Sequence, residues 1–326
     1  MARNKSMIVL AAYVVALCSA AFDDAAAQSY PSRSVTIVAA TTPGSLPDVI
    51  ARAVGQRLSS KWQHPVVVEN RAGGAYAIAA SAVASAAADG HTLLVTESGF
   101  YTTQPHLSQR TAYRQSDFVP VSGLAGIPTA MVASPSIEAK SIPDLLTLAK
   151  AKPASINYGT AGPGTSPHMG MLLFENAAQV KLTAVHYRGV SPILNDLIAG
   201  HIQLALIGPT IALPAYKGGQ VKILGVGSER PIPQLEGVAP IAESVPGFEM
   251  SVSFSIFVRT GTPQEIIDRI NADAQEIMRD PAFQKQFLEP QALQAVQGTP
   301  KDFSRQMQNE SDKWARLIRE TKLVID

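Results

Sequence analysis

The segment Ser34 to Leu58 joins an apolar strand to an amphipathic helix through a short polar turn. Branched apolar residues dominate Val35 to Ala39, which predicts a buried strand. In the following stretch the apolar residues recur every three or four positions, which predicts a helix. They are Val49, Ile50, Ala53, Val54 and Leu58. Such a strand–turn–helix unit restricts the chain to folds that alternate strands with helices.

The turn inside this unit has the composition of a helix start. Ser45 is placed as the N-cap, Pro47 lies in the first turn, and Asp48 follows three positions after Ser45. A helix start presents unpaired N–H groups and partial positive charge, which suit a carboxylate or phosphate. Many strand-to-helix turns look alike, so an anion site and an ordinary connection both remain open.

The same alternation continues along the chain. Strands at 65–69 and 92–96 flank an alanine-rich helix at 75–87, which predicts a parallel sheet with right-handed crossovers. From Ser134 the pattern starts again, and a late strand at 250–259 returns the chain. We therefore expect two lobes joined by crossings near Ala130 and Ser251. The predicted boundaries are 28–130 with 251–326 for lobe 1, and 131–250 for lobe 2.

Residues 1–27 have the pattern of a signal peptide. Arg3 and Lys5 precede the apolar stretch Met7 to Leu17, and Ala25 to Ala27 supply a cleavage signal. We expect export to the periplasm and cleavage near Ala27. The single cysteine, Cys18, lies inside this segment, so the mature chain is expected to lack a thiol nucleophile, a disulfide and a cysteine metal site.

Composition and missing motifs exclude several classes of function. A formal net charge of +1 leaves no basic stripe for nucleic acid. No Gly-Lys-Ser/Thr phosphate loop or G-x-G-x-x-G follows a strand, which argues against nucleotides. The six histidines have no paired ligand spacing, so we expect no metal and no cofactor. No G-x-S-x-G turn supports a serine hydrolase, although a triad can also be assembled from scattered residues.

Ligands of open α/β sheets sit outside the carboxyl ends of the strands. We expect four or five of the predicted loops to face one cleft there. The loop from Thr160 to Ser166 is the strongest candidate because its glycines permit close backbone approach. Its alternative is a flexible connector. Glu97 is awkward for an anion site: it must point away, meet a ligand ammonium group, or be neutralised. Phe100 with Tyr101 forms either an apolar wall for a ligand or part of the lobe core.

Two further candidates have equally plain alternatives. Arg188 follows a strand and is placed to pair with a carboxylate, or is an exposed structural arginine. His168 starts a helix beside a ligand loop and either hydrogen-bonds the ligand or packs.

A set of short motifs, in order along the mature chain, resembles the periplasmic receptors of tripartite tricarboxylate transporters, the Bug family. The motifs are Tyr30 to Arg33, Pro43-Gly44, Val66 to Arg71, Asp89 to Leu94, Asp117 to Val121, Asn157 to Gly159, Thr165 to His168, His186 to Gly189, Pro246 to Glu249 and Gly261 to Pro263.

The resemblance implies an α/β, two-lobe periplasmic binding protein (type II-like), each lobe a mostly parallel sheet flanked by helices with the cleft between lobes. It also implies a protein without catalysis that carries a small organic acid to a membrane permease. We further expect a monomer. The ligand residues that the resemblance implies are Thr42, Pro43, Gly44, Ser45, Asp48, Thr160, Ala161, Thr165, Ser166, His168, Arg188, Ser191, Gly208 and Thr210. Ser98 and Phe100, in the loop after the strand at 92–96, are further candidates.

Three departures from the family pattern predict a less polar pocket, and hence an aromatic or longer-chain carboxylate. Ser45 to Pro47 replaces a glycine-rich turn, Gly208-Pro209 replaces an acidic or amide position, and the loop Glu97 to Tyr101 carries aromatic residues. Two other functions fit the same sequence: a ligand-sensing subunit for a membrane kinase, and an exported hydrolase that uses His168.

Overall fold

In a computed structural model the chain forms two β-sheets, each flanked by helices. The structure describes residues 30–74, 76–107, 112–187, 190–321 and 323. The predicted signal peptide and Arg188 lie outside these ranges. None of the described helices is long and apolar enough to cross a membrane.

The strands predicted at 35–39, 65–69, 92–96 and 250–259 are present with small changes in length, and the short strand Gln294–Ala295 was not predicted. In order, the strands are β1 (Val35–Ala39), β2 (Val66–Asn70), β3 (Thr92–Glu97), β4 (Phe118–Pro128), β5 (Ala130–Ala133), β6 (Asn157–Thr160), β7 (Thr183–His186), β8 (Leu204–Ile207), β9 (Lys222–Val226), β10 (Ser251–Arg259) and β11 (Gln294–Ala295).

The helices include two short ones that follow β3, where the sequence predicts only a loop. In order they are α1 (Leu46–Trp62), α2 (Ala77–Ala84), α3 (Gly99–Thr102), α4 (Gln104–Leu107), α5 (Ile142–Ala151), α6 (Ser166–Ala178), α7 (Val190–Ala199), α8 (Pro209–Lys217), α9 (Gln264–Arg279), α10 (Pro281–Phe283) and α11 (Pro300–Thr321). A π-helical turn, Gln284–Leu288, follows α10.

The first sheet has the order β11-β4-β10-β3-β1-β2, and the second has the order β7-β6-β8-β5-β9. The predicted two-lobe α/β class is confirmed. Both sheets are mixed rather than mostly parallel: β10 runs antiparallel to β3 and β4, and β5 runs antiparallel to β8 and β9. The cause is the connection between the sheets, since a strand that arrives from the other sheet enters in the opposite direction.

The chain passes between the sheets at two adjacent points. Thr129 links β4 to β5, and Met250 precedes β10. The Thr129 N–H and hydroxyl both donate to the Met250 carbonyl, at 3.3 and 2.8 Å, and Gly227 N–H donates to the Thr129 carbonyl at 2.7 Å. The two crossings therefore form one hydrogen-bonded unit between the lobes.

Helix α11 packs on both halves of the molecule. Its N-terminal half contacts β4 and the Ser304 hydroxyl donates to the Pro120 carbonyl, whereas Trp314 and Leu317 join the core of the second sheet. The sequence predicts an apolar stripe on this helix, formed by Phe303, Met307, Trp314, Leu317 and Ile318, and these residues are buried against the protein body. Because it contacts both sheets, α11 spans the boundary that the crossings define.

Candidate ligand-binding cleft

A cavity of about 560 Å³ lies between the two sheets and receives residues from both. Its volume is in the range typical of small-molecule sites. Most of its wall is apolar, and no Lys, Arg or His occurs among the described residues that line it. The apolar lining residues include Leu46, Pro47, Ile127, Met169, Val190, Leu206, Ile207, Ile211, Met250, Val252, Phe254 and Trp314.

Three helices of nine or more residues direct their N-terminal ends toward this cavity. Helix α1 contributes Leu46 and Pro47, α6 contributes the turn from Thr165 to Pro167, and α8 contributes the preceding Gly208. Each helix has a proline at its first or second position, where no N–H is needed. The cavity wall therefore carries the positive ends of three helix dipoles from two lobes, which favours an anion.

The turn before α1 uses its polar groups internally. The hydroxyls of Thr41 and Ser45 lie 2.6 Å apart, and Ser45 Oγ donates to the Thr42 carbonyl at 2.8 Å. Thr42, Pro43 and Gly44 are exposed. None of the residues from Thr42 to Ser45 lines the cavity, where Leu46 and Pro47 take their place. The start of α1 is therefore apolar on the side that faces the cleft.

Asp48 also serves this turn rather than the cavity. Its buried carboxylate accepts hydrogen bonds from Gly44 N–H at 2.8 Å and from Asn70 at 2.8 Å, and it pairs with Arg52 at 2.9 Å. Burial alone would raise the pKa of Asp48, but these hydrogen bonds and the Arg52 charge lower it below its ordinary value. An ionised Asp48 therefore holds the turn in shape.

The hydroxyl groups in the turn before α6 differ in whether they are already hydrogen-bonded within the turn. The Thr165 hydroxyl donates to the Gly162 carbonyl at 2.7 Å and lies 3.2 Å from the fully buried Thr160 hydroxyl. The hydroxyl of Ser166, one residue on, has no hydrogen-bond partner among the described residues, and Ser166 lines the cavity. Gly164 turns the chain here with φ of +71°, a conformation that L residues rarely adopt.

His168 lies behind this turn. Its Nδ1 accepts a hydrogen bond from Gly164 N–H at 3.0 Å, and the residue borders a different cavity of the second lobe. Burial, with a smaller contribution from nearby His186, lowers the pKa of His168 to about 4. A neutral His168 therefore stabilises the loop through its hydrogen bond with Gly164. Of the two roles considered from the sequence, binding the ligand or packing, the contacts of His168 favour packing.

Glu97 ends β3 and lines the cavity. The Tyr76 hydroxyl donates to Glu97 Oε2 at 3.3 Å, and burial raises the pKa of the Glu97 carboxyl. Its neighbour Ser98 also lines the cavity and accepts a hydrogen bond from Ser253 Oγ at 2.8 Å. Tyr76 lines the cavity as well, so the hydrogen-bonded pair of Tyr76 and Glu97 borders the cleft.

Phe100 is fully buried and does not line the cavity. Its ring stacks on Tyr113 with centroids 4.7 Å apart and meets Phe118 and Phe257 edge to face. An aromatic cluster of this kind excludes a ligand, because the ring faces are already covered. Phe100 therefore belongs to the lobe core and is a correction to the predicted ligand wall.

A second carboxyl group reaches the cavity from α11. The Trp314 Nε1–H donates to Glu310 Oε1 at 3.3 Å, and both side chains line the cavity. Burial raises the pKa of Glu310, and Lys313 partly opposes this effect. The sequence analysis missed both residues. The available signal was the apolar stripe that contains Met307 and Trp314, because Glu310 lies between them on the same helix face.

The structure brings five of the predicted ligand residues together at the cavity: Ser98, Ala161, Thr165, Ser166 and Gly208. It places nine elsewhere: Thr42, Pro43, Gly44, Ser45, Asp48, Phe100, Thr160, His168 and Thr210. Arg188 and the side chain of Ser191 lie outside what the structure describes. For Ser45, Asp48, Thr160 and His168 the cause is internal use of their polar groups within the loops, which sequence spacing does not reveal.

Residues 50–323 match the sequence pattern of the family described as tripartite tricarboxylate transporter family receptor. A protein encoded in the tcbD-tcbE intergenic region of Pseudomonas sp. (strain P51) is 32% identical over 97% of this chain and 94% of that protein.

Two solved structures resemble this fold closely. R. palustris Rpa4515 with adipate has a TM-score of 0.75 and 30% identity, covering 89% of this chain and 97% of that one. MatC (Rpa3494) from Rhodopseudomonas palustris with bound malate has a TM-score of 0.72 and 26% identity, covering 89% and 100%.

Proposed function

Because the chain belongs to the tripartite tricarboxylate transporter receptor (Bug) family, we propose that it captures a small organic carboxylate between its lobes and delivers it to membrane permease subunits of that transporter type. The family consists of solute-binding receptors rather than enzymes. The proposal includes export to the periplasm, a monomeric receptor, and lobes formed by 28–130 with 251–326 and by 131–250.

The observation that carries this proposal is the convergence of three helix N-termini on one cavity between the lobes. A carboxylate at this point would receive backbone N–H groups and the free Ser166 hydroxyl. Hydrogen bonds to a charged group contribute about 1.5–3 kcal/mol each. Two or three of them, together with apolar burial, account for a micromolar Kd, which corresponds to about −8 kcal/mol.

Capture would proceed by closure of the lobes about the Thr129–Met250 unit. Two short crossings side by side permit rotation with few backbone changes, as in hinge motions of two-lobe receptors. Both residues also line the cavity, so a ligand there contacts the hinge directly.

The ligand class follows from the wall. Its apolar residues favour a longer-chain or aromatic acid over a small hydroxy acid, because each buried methylene contributes about 0.8 kcal/mol. The similar proteins solved with adipate and with malate support a dicarboxylate or related acid as the starting set. The hydrolase alternative has no support around His168, whose described partner is a backbone N–H rather than a hydroxyl.

A thermal-shift screen of the mature protein with adipate, malate, benzoate and hexanoate tests the proposal. A ligand at 100 times its Kd stabilises the fold by about 2.7 kcal/mol. For a chain of this size we expect a rise in Tm of about 5 °C. Mass spectrometry of the stabilising compound after incubation should find it unchanged.

Absence of a shift across an extended panel of mono-, di- and tricarboxylates would exclude carboxylate capture. Conversion of a stabilising compound into product would exclude the receptor function. Stabilisation by benzoate but not by adipate would assign the apolar wall to an aromatic ring.

A further inference from the structure

The Glu97 carboxyl group lines the proposed carboxylate site, although an ionised carboxylate cannot bind a second carboxylate. It lines the same cavity that receives three helix N-termini, and it comes from the lobe opposite α6 and α8. Within the described ranges it accepts one hydrogen bond, from Tyr76, and forms no ion pair. The apolar residues of the same cavity wall, among them Ile127, Val252 and Phe254, cannot neutralise it.

Apart from the hydrogen bond that it accepts from Tyr76, the Glu97 carboxyl group has no polar contact among the described residues that would explain its position. The adjoining Ser98 precedes α3, and no side chain caps that helix. The backbone is already fixed without the carboxyl group, because Ser98 N–H donates to the Ser253 carbonyl at 2.8 Å and β3 pairs with β10 as far as Glu97. A partly buried acid without a counter-charge among the described residues costs free energy in the empty protein. A ligand cation would remove that cost.

We propose, resting on the carboxylate receptor function above, that the ligand is an amino-carboxylate whose protonated amino group binds Glu97. Its carboxylate then lies at the N-termini of α6 and α8 in the other lobe. The apolar wall between these two points accommodates the methylene chain. Tyr76 orients the Glu97 carboxyl through its hydroxyl and leaves the second oxygen for the ammonium group.

Length-matched pairs of compounds test this inference by isothermal titration calorimetry at pH 7. The pairs are 4-aminobutanoate with succinate, 5-aminopentanoate with glutarate, and 6-aminohexanoate with adipate. We expect at least one amino acid to bind at least tenfold more tightly than its diacid partner. In Glu97→Gln this preference should fall below twofold, with the affinity for the diacid unchanged or improved.

Two control variants separate binding by Glu97 from a general effect of the cavity. Glu310→Gln removes the other cavity carboxyl and should keep the preference. Tyr76→Phe removes the hydrogen bond but retains the Glu97 charge, and should also keep the sign of the preference. Circular dichroism and Tm verify that each variant is folded.

The outcomes distinguish this inference from the proposed function. Equal or tighter binding of the diacid in every pair would overturn the role of Glu97 and leave the receptor function standing. The same holds for a preference that persists in Glu97→Gln, or for binding of other carboxylates when no member of the pairs binds. Failure of every carboxylate to bind would overturn both.

Discussion

Replacement of Ser166 by alanine tests the most specific feature of the proposed anion site. The Ser166 hydroxyl lines the cavity and has no partner among the described residues, whereas the neighbouring Thr165 hydroxyl is engaged by the Gly162 carbonyl at 2.7 Å. Truncation at Ser166 therefore removes a group that is free in the empty protein and available to a ligand. The stability of the fold should change little when this hydroxyl is removed.

The magnitude follows from one hydrogen bond to a charged acceptor. Its loss costs about 1.5–3 kcal/mol, which raises Kd roughly 10- to 150-fold at 25 °C. Ser166 occupies the first position of α6, where alanine is a good helix former, so Tm without ligand should change by less than about 2 °C. Calorimetric titration with the tightest carboxylate of the screen measures the change in Kd.

Thr42→Ala is the matched control, since it removes a hydroxyl from the exposed turn before α1 that does not line the cavity. We expect less than a twofold change in Kd. Thr165→Ala should instead lower Tm, because it removes a bond inside the loop. Unchanged affinity in Ser166→Ala, or equal losses in Ser166→Ala and Thr42→Ala, would refute the assignment of the anion site to the α6 N-terminus.

Three further changes have defined outcomes. Asp48→Ala should lower the free energy of unfolding in urea by about 1.5–3 kcal/mol. Because the pKa of Asp48 is lowered in the folded protein, the stability difference between the unmodified protein and the variant has its full size above pH 3.8 and decreases as the pH falls below that value. An equal deficit at pH 2.5 would contradict it. Gly170→Ala places a methyl group against Leu206, so Tm and ligand affinity should both fall, by roughly 1–3 kcal/mol in stability; an unchanged Tm would show that α6 can shift. Glu97→Gln should raise the free energy of unfolding of the empty protein at pH 7 by roughly 1 kcal/mol, and with it the Tm, because the raised pKa of Glu97 makes its ionisation unfavourable for folding. This advantage should disappear near pH 4. A variant with the same Tm as the unmodified protein at both pH values would contradict this.

Local patterns were sufficient for the class of fold. The apolar run of β1, the periodicity of α1 and the prolines at the starts of α1, α5, α6 and α8 are local features, each set by residues within a few positions of one another. Strand and helix propensities act over the same range, so the order of elements is readable from the chain. The direction of β10 in the sheet could not be read from the chain, because its neighbours β3 and β4 are distant in sequence.

The family motifs and the helix start at Ser166 were likewise legible in the sequence. Whether a given polar group is exposed, hydrogen-bonded internally or directed to the cleft depends on the tertiary structure alone. Thr42 and Ser166 have the same local signature, yet one lies on an exposed turn and the other faces the cleft. Glu97 and Glu310 meet in one cavity only because α11 packs across both sheets. The physical reason is that a hydrogen bond or a buried charge depends on the atoms that surround it, and those atoms come from distant parts of the chain.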